Sequence, residues 1–103
     1  MKLLHLTFHF EFTERIEAIL DAREVRNYVR IPMVPGKDRT GKHQGTQVHP
    51  GNVTIIQAQV PEDVLDGLMD DLSAFRRERQ THRHLEAIAW PVERRLEDDG
   101  DDG

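Results

Sequence analysis

Residues 35–52 read PGKDRTGKHQGTQVHPGN and lie between two runs of strand character, 25–34 and 53–60. Whatever fold the chain adopts must therefore join two strands by an excursion far longer than an ordinary hairpin turn. Gly36, Gly41, Gly45 and Gly51, with Pro35 and Pro50, keep the segment out of regular structure, since glycine frees the backbone and proline removes a donor. Lys37, Arg39, Lys42, His43 and His49 make it basic in a chain whose formal net charge is −5. A segment of this length is expected to be a flexible, functional loop; polar loops are also often plain solvated connectors, and the residues alone leave both readings open.

The flanking sequence is periodic. Leu4, Leu6, Phe8, Phe10 and Phe12 alternate with His5, Thr7, His9 and Glu11, the pattern of a half-buried strand. Thr13 is the expected N-cap of a helix that carries Ile16, Ile19 and Leu20 on one stripe, with Glu14 and Glu17 near the positive end of its dipole, and that stops near Arg23. Residues 25–34 hold Tyr28, Val29, Ile31 and Val34 around Pro32, which places that strand at an edge or puts the proline near its end. Residues 53–60 are rich in β-branched side chains. Pro61, Glu62 and Asp63 then open a second helix with Val64, Leu65, Leu68, Met69, Leu72 and Phe75 at helical spacing. Residues 85–91 return to strand character.

This order predicts a ferredoxin-like α+β fold, βαββαβ, with a four-stranded antiparallel sheet, both helices on one face, and His5, Thr7 and His9 on the other. Residues 1–96 form one domain in this reading, interrupted by the loop at 35–52. Residues 97–103, EDDGDDG, have nothing to bury and are expected to be a disordered acidic tail.

Size and composition exclude several functions. A chain of 103 residues buries roughly 60–65% of its unfolded surface, so self-association would add useful stability. Net negative charge argues against general binding to a phosphate backbone, and the open sheet face lacks the stacking aromatics of RNA readers in this reading. The absence of cysteine removes disulfides, thiolate nucleophiles and Cys-based zinc sites, and fits the cytoplasm. Alternation from residue 3 onward excludes a signal peptide or membrane span there. No nucleophile has an identifiable base, and Ser73 falls in mid-helix, so the chain is not expected to be an enzyme.

Gly36-Lys37-Asp38-Arg39-Thr40-Gly41-Lys42-His43 comes within one residue of the phosphate-cradling pattern G-x-x-x-x-G-K-[ST]. His43 replaces the hydroxyl that would hold magnesium, and a strand rather than a helix follows, so a true P-loop is excluded. Flexible amides and cations remain, suited to an anion or an acidic partner. His5 and His9, four residues apart on a strand, stand about 13 Å apart and cannot share one ion within a chain. His82 and His84, read as alternate strand residues on one face, are the weak metal candidates, without an apparent third ligand. Arg76, Arg77, Arg79 and Arg83 form the basic cluster outside the loop and suit a helix C-terminus.

The short β1–α1–β2, the glycine- and lysine-bearing loop, and a β3–α2–β4 unit closing on Pro91-Val92-Glu93 resemble the PII-like signalling superfamily over residues 2–96. Gly36-Lys37 through Gly41-Lys42-His43 is similar to the start of that family's T-loop, and residues 45–52, ending at Asn52, to its end. The resemblance implies a homotrimer that binds a small anionic metabolite, an adenine nucleotide or bicarbonate, in clefts between subunits and regulates a partner protein such as a transporter or enzyme. Candidate ligand-binding residues are then Gly36, Lys37, Arg39, Gly41, Lys42, His43, Asn52, Arg94 and Arg95. Nitrogen-regulatory members hold phosphates on a glycine-rich B-loop between the second helix and the last strand. Here that stretch, RRERQTHRH, has no glycine, so arginine forks would have to supply the charge. Residues 35–52 also lack the tyrosine that is uridylylated in those members. An alternative implied by the same architecture is a metal-responsive trimer similar to the divalent-cation-tolerance proteins, using histidines gathered by symmetry.

Overall fold

The computed structural model describes residues 1–34 and 53–96. Strand β1 (Lys2–His9) is followed by a 3-10 turn (Phe10–Phe12), helix α1 (Thr13–Ala22), strand β2 (Tyr28–Val34), strand β3 (Val53–Val60), helix α2 (Glu62–Glu78), a second 3-10 turn (Gln80–His84) and strand β4 (Glu86–Pro91). The four strands make one sheet in the order β2-β3-β1-β4, antiparallel at every pairing. This is the expected ferredoxin-like arrangement. The readings of 35–52 as a flexible loop and of 97–103 as a disordered tail lie outside the described residues.

Alternation on β1 and β3 sorts the side chains. Leu4, Leu6 and Phe8 are buried with Ile56, Ala58 and Val60, and they form one core with Ile16 and Leu20 of α1 and Leu68, Leu72 and Phe75 of α2. Both helices thus cover the same face. Burying each of these large side chains contributes about 1.5–3 kcal/mol, which is why the hydrophobic stripe rather than helix propensity fixes α2.

Helix α1 ends in a Schellman motif. The Glu24 amide donates to the Asp21 carbonyl at 2.9 Å and the Val25 amide to the Leu20 carbonyl at 2.9 Å, while Val25 buries its side chain as the motif's apolar anchor. Glu24 occupies the left-handed position at φ 61°, where glycine is the usual residue. Three ion pairs tie the helices to each other and to β2: Arg15–Glu78 and Arg23–Asp71 between α1 and α2, and Arg30–Glu17 between β2 and α1. The Arg23 guanidinium lies across Gly67, in the space that a Cβ at that position would need.

Two local expectations are corrected. The first strand stops at His9, and Phe10 is 41% exposed instead of continuing the buried row. Thr13 is not the N-cap: it is the first residue of α1, Phe12 precedes it, and its hydroxyl donates to the Phe10 carbonyl at 2.7 Å. The cause lies in Phe12, which leaves the strand ladder to set its edge against the Phe75 and His82 rings. Pro61 likewise sits one position before α2, as its cap. Pro32 does lie on an edge strand, and the β2–β3 register shifts between Ile31 and Val34 around it.

The uncovered face of the sheet is more apolar than expected. Besides His5, Thr7 and His9 it carries Val29 (58% exposed), Ile31 (42%), Ile88 (53%) and Trp90 (41%).

Candidate functional site

The ends of the chain segments that matter converge on one end of the sheet. His9, the last residue of β1, pairs with Val53, and so does Val34 at the end of β2; residues 35–52 join those last two positions. Because α2 runs back along β3, its C-terminus and the following 3-10 turn arrive at this same end. Ser73, Arg76, Arg77, Glu78, Arg79, Gln80 and Arg83 there line an open basin of about 510 Å³.

The charge state of this basin sets it apart. Arg76 donates to the Arg83 carbonyl at 3.0 Å and Arg77 to the Ser73 hydroxyl at 2.8 Å, both uncharged acceptors. Glu78, the acid on its rim, is turned toward Arg15, whose Nη2 donates to its two oxygens at 3.1 and 3.0 Å. Among the described residues no carboxylate pairs with Arg76, Arg77, Arg79 or Arg83, whereas Arg15, Arg23 and Arg30 each hold one. In a chain of net charge −5, a cluster of guanidinium groups without acidic partners among the described residues has the chemistry that suits an anion, since planar guanidinium forks match phosphate and carboxylate oxygens.

His82 holds the basin's wall in place. Its ring stacks on Phe75 at 3.9 Å with planes 4° apart, meets the Phe12 edge at 4.7 Å, and its Nδ1–H donates to the Phe75 carbonyl at 2.7 Å. Arg15 covers Phe75 at 5.0 Å. With His82 buried as a pin, Arg83 on the same short turn and Arg79 immediately before it are exposed. The structure corrects the placement of His82 and His84 as alternate residues on one face of a strand. They lie in a 3-10 turn, His82 is buried in the core, and His84 is exposed. Among the described residues no group of three or more His, Asp or Glu is placed to hold an ion. His5 and His9 also have local hydrogen-bond roles: Gln57 Nε2 contacts His5 Nδ1 at 3.1 Å, and His9 Nδ1 accepts from the Glu11 amide at 3.3 Å.

The other candidate residues fall elsewhere. Gly36, Lys37, Arg39, Gly41, Lys42, His43 and Asn52 lie outside the described residues. Arg94 and Arg95 follow β4 at the opposite end of the sheet, where Pro91 pairs with Lys2, the Val92 amide donates to the Met1 carbonyl, and Arg95 donates to Gln59. Six residues of β4 span about 20 Å, so one chain does not bring Arg94 or Arg95 to the basin. Sequence reasoning read the arginine cluster as a helix terminus and, through the resemblance, as a substitute source of charge, but did not make it a candidate site. The missing information was that its one acid, Glu78, is claimed by a residue distant in sequence.

Elsewhere Arg23 holds the Asp71 carboxyl below the usual carboxylate range by a direct hydrogen bond, and burial raises the Tyr28 hydroxyl above its ordinary value. Neither lies in the basin. Among the described residues no helix is long and apolar enough to cross a membrane.

No protein-family profile matches the sequence, and no curated protein matches it. The fold defines the chain as a ferredoxin-like α+β domain with one open sheet face, and solved structures share that fold. The structure of CPII, a nitrogen regulatory PII-like protein from Thiomonas intermedia K12, bound to ADP, AMP and bicarbonate, superposes with a TM-score of 0.66 at 19% identity, covering 85% of this chain and 86% of that one. CPII bound to ADP and bicarbonate matches with a TM-score of 0.63 at 22% identity over 90% and 88%. A protein from Thermus thermophilus assigned as a PII-like signalling protein matches at 0.56 and 17% identity over 86% and 80%. The likeness bears out the expected PII-like architecture; at these identities it establishes the fold.

Proposed function

We propose that this chain is a PII-like sensor: a cytoplasmic homotrimer, without catalysis of its own, that binds a small anionic metabolite at clefts between subunits and passes occupancy to a partner protein through residues 35–52. The observation that carries the reading is the arginine basin without acidic partners among the described residues, next to the two strand ends that residues 35–52 connect. CPII, with the same fold, was solved with ADP, AMP and bicarbonate, which makes an adenine nucleotide or bicarbonate the ligand class to test first. Arginine side chains here take over the work a glycine-rich backbone cradle does for phosphate.

Self-association is supported by the open face, where Val29, Ile31, Ile88 and Trp90 stay exposed in one chain. Packing such faces around a symmetry axis would also allow Arg94 and Arg95 of one subunit to approach the ligand cleft of the next, a meeting that one chain forbids. Signalling then needs only that the ligand contact one arrangement of residues 35–52 better than another, by its differential affinity. The divalent-cation alternative would need histidines gathered from several subunits, since among the described residues of one chain no group of three ligands is placed to hold an ion. Isothermal titration with ADP, AMP and bicarbonate tests the reading: saturable binding is expected, and no heat at millimolar ligand sinks it.

A further inference from the structure

We infer that the acidic segment 97–102 of one copy is a built-in competitor for the arginine basin of another, so that an anionic ligand must displace a peptide of this same protein to bind. The inference rests on the basin reading above and adds its regulation. Residues 97–102 read Glu-Asp-Asp-Gly-Asp-Asp, a run of carboxylates, and the basin offers Arg76, Arg77, Arg79 and Arg83 without a carboxylate partner among the described residues. Charge complementarity of this density gives salt-dependent association, and guanidinium–carboxylate forks are its natural contacts.

Geometry selects a second copy as the source. Arg95 is anchored to Gln59, on the uncovered face of the sheet at the Val60 end of β3. The basin lies at the far end of α2, whose 17 residues span about 25 Å, and on the helix-covered side. From Arg95 to Asp102 an extended chain reaches about 25 Å at most, enough for the length of α2 but not for that length plus the passage around the sheet. The segment therefore serves a neighbour. Within an assembly it would act at an effective concentration on the order of millimolar, which makes even weak exposed ion pairs competitive.

The test uses a labelled peptide of residues 96–103 and a full-length chain with E97Q, D98N, D99N, D101N and D102N. Fluorescence anisotropy should show saturable peptide binding to the neutralised chain at low salt, weaker apparent binding to the intact chain, and loss in R79Q/R83Q or at high salt. Absence of binding at low salt overturns the inference. So does binding that survives R79Q/R83Q but vanishes when Lys37, Arg39 and Lys42 are replaced, because the tail would then sit on the other basic segment. Calorimetry with ADP separates the two levels: neutralising the tail should raise ADP affinity roughly three- to tenfold, as expected for removal of several weak pairs. Peptide binding without ADP binding to either chain refutes the nucleotide reading alone. Equal ADP binding to both chains, with no peptide binding, refutes the competitor alone.

Discussion

His82 lies face to face on Phe75, ring centroids 3.9 Å apart, while its Nδ1–H donates to the carbonyl of that same Phe75 at 2.7 Å. One side chain thereby caps the end of α2, packs against Phe12 and fixes the turn that follows Arg79 and carries Arg83. His82→Ala removes the packing and should cost about 2–3 kcal/mol in urea unfolding. His82→Phe keeps a ring but loses the donor and should cost about 1 kcal/mol. A His82→Ala chain as stable as its parent would show that the pin is not needed.

Gly67 makes room for Arg23. In Gly67→Ala the new Cβ would force the guanidinium away from Asp71, at the flexible end of the arginine side chain, so the helix should persist while the pair is lost. The Asp71 carboxyl is depressed by that hydrogen bond, so the folded state binds its proton more weakly than the unfolded state. The pair's contribution is therefore present above about pH 4 and fades as pH falls through the lowered folded value. Stability curves of the parent and Asp71→Asn should run apart at neutral pH and converge in acid. The Asp71 carboxyl, followed by NMR, should return toward its ordinary range in Gly67→Ala; an unchanged titration would mean that Arg23 did not move.

Glu24 holds a left-handed conformation in which its Cβ is crowded. Glu24→Gly should relieve that strain and, after the added freedom of the unfolded glycine, stabilise the chain by about 0.5–1 kcal/mol. Thermal unfolding reads this directly. Destabilisation instead would place an interaction on the Glu24 side chain.

Much of the fold was legible in sequence because its information is local. Val53–Val60 is bounded by β-branched residues and Pro61, and Leu68, Leu72 and Phe75 repeat at helical spacing, so β3 and the buried stripe of α2 stand where expected. The departures come from contacts between distant residues. Phe12 quits the β1 pattern to reach His82, and Glu78 leaves its neighbouring arginines for Arg15, 63 positions away, which is what frees the basin. No window of sequence contains either fact. The apolar open face was half visible: Ile88 and Trp90 alternate with the small Ala87 and Ala89, a strand with a large side chain on its uncovered side.

That face makes its own prediction. Ile31 and Ile88 are 42% and 53% exposed, so Ile31→Glu with Ile88→Glu should disturb the folded monomer little, by about 0.5 kcal/mol per site, while breaking self-association. Sedimentation velocity should find a trimer for the parent and a monomer for the variant. A monomeric parent contradicts the assembly.

The basin itself is tested most directly by calorimetric titration of ADP, AMP and bicarbonate into the parent chain and into Arg79→Gln/Arg83→Gln, two exposed arginines without an acidic partner among the described residues. Saturable binding to the parent, weakened at least roughly tenfold in the variant by loss of charge-assisted contacts, is the expected result. Equal affinity for both chains, or no binding to the parent at millimolar ligand, would contradict the account.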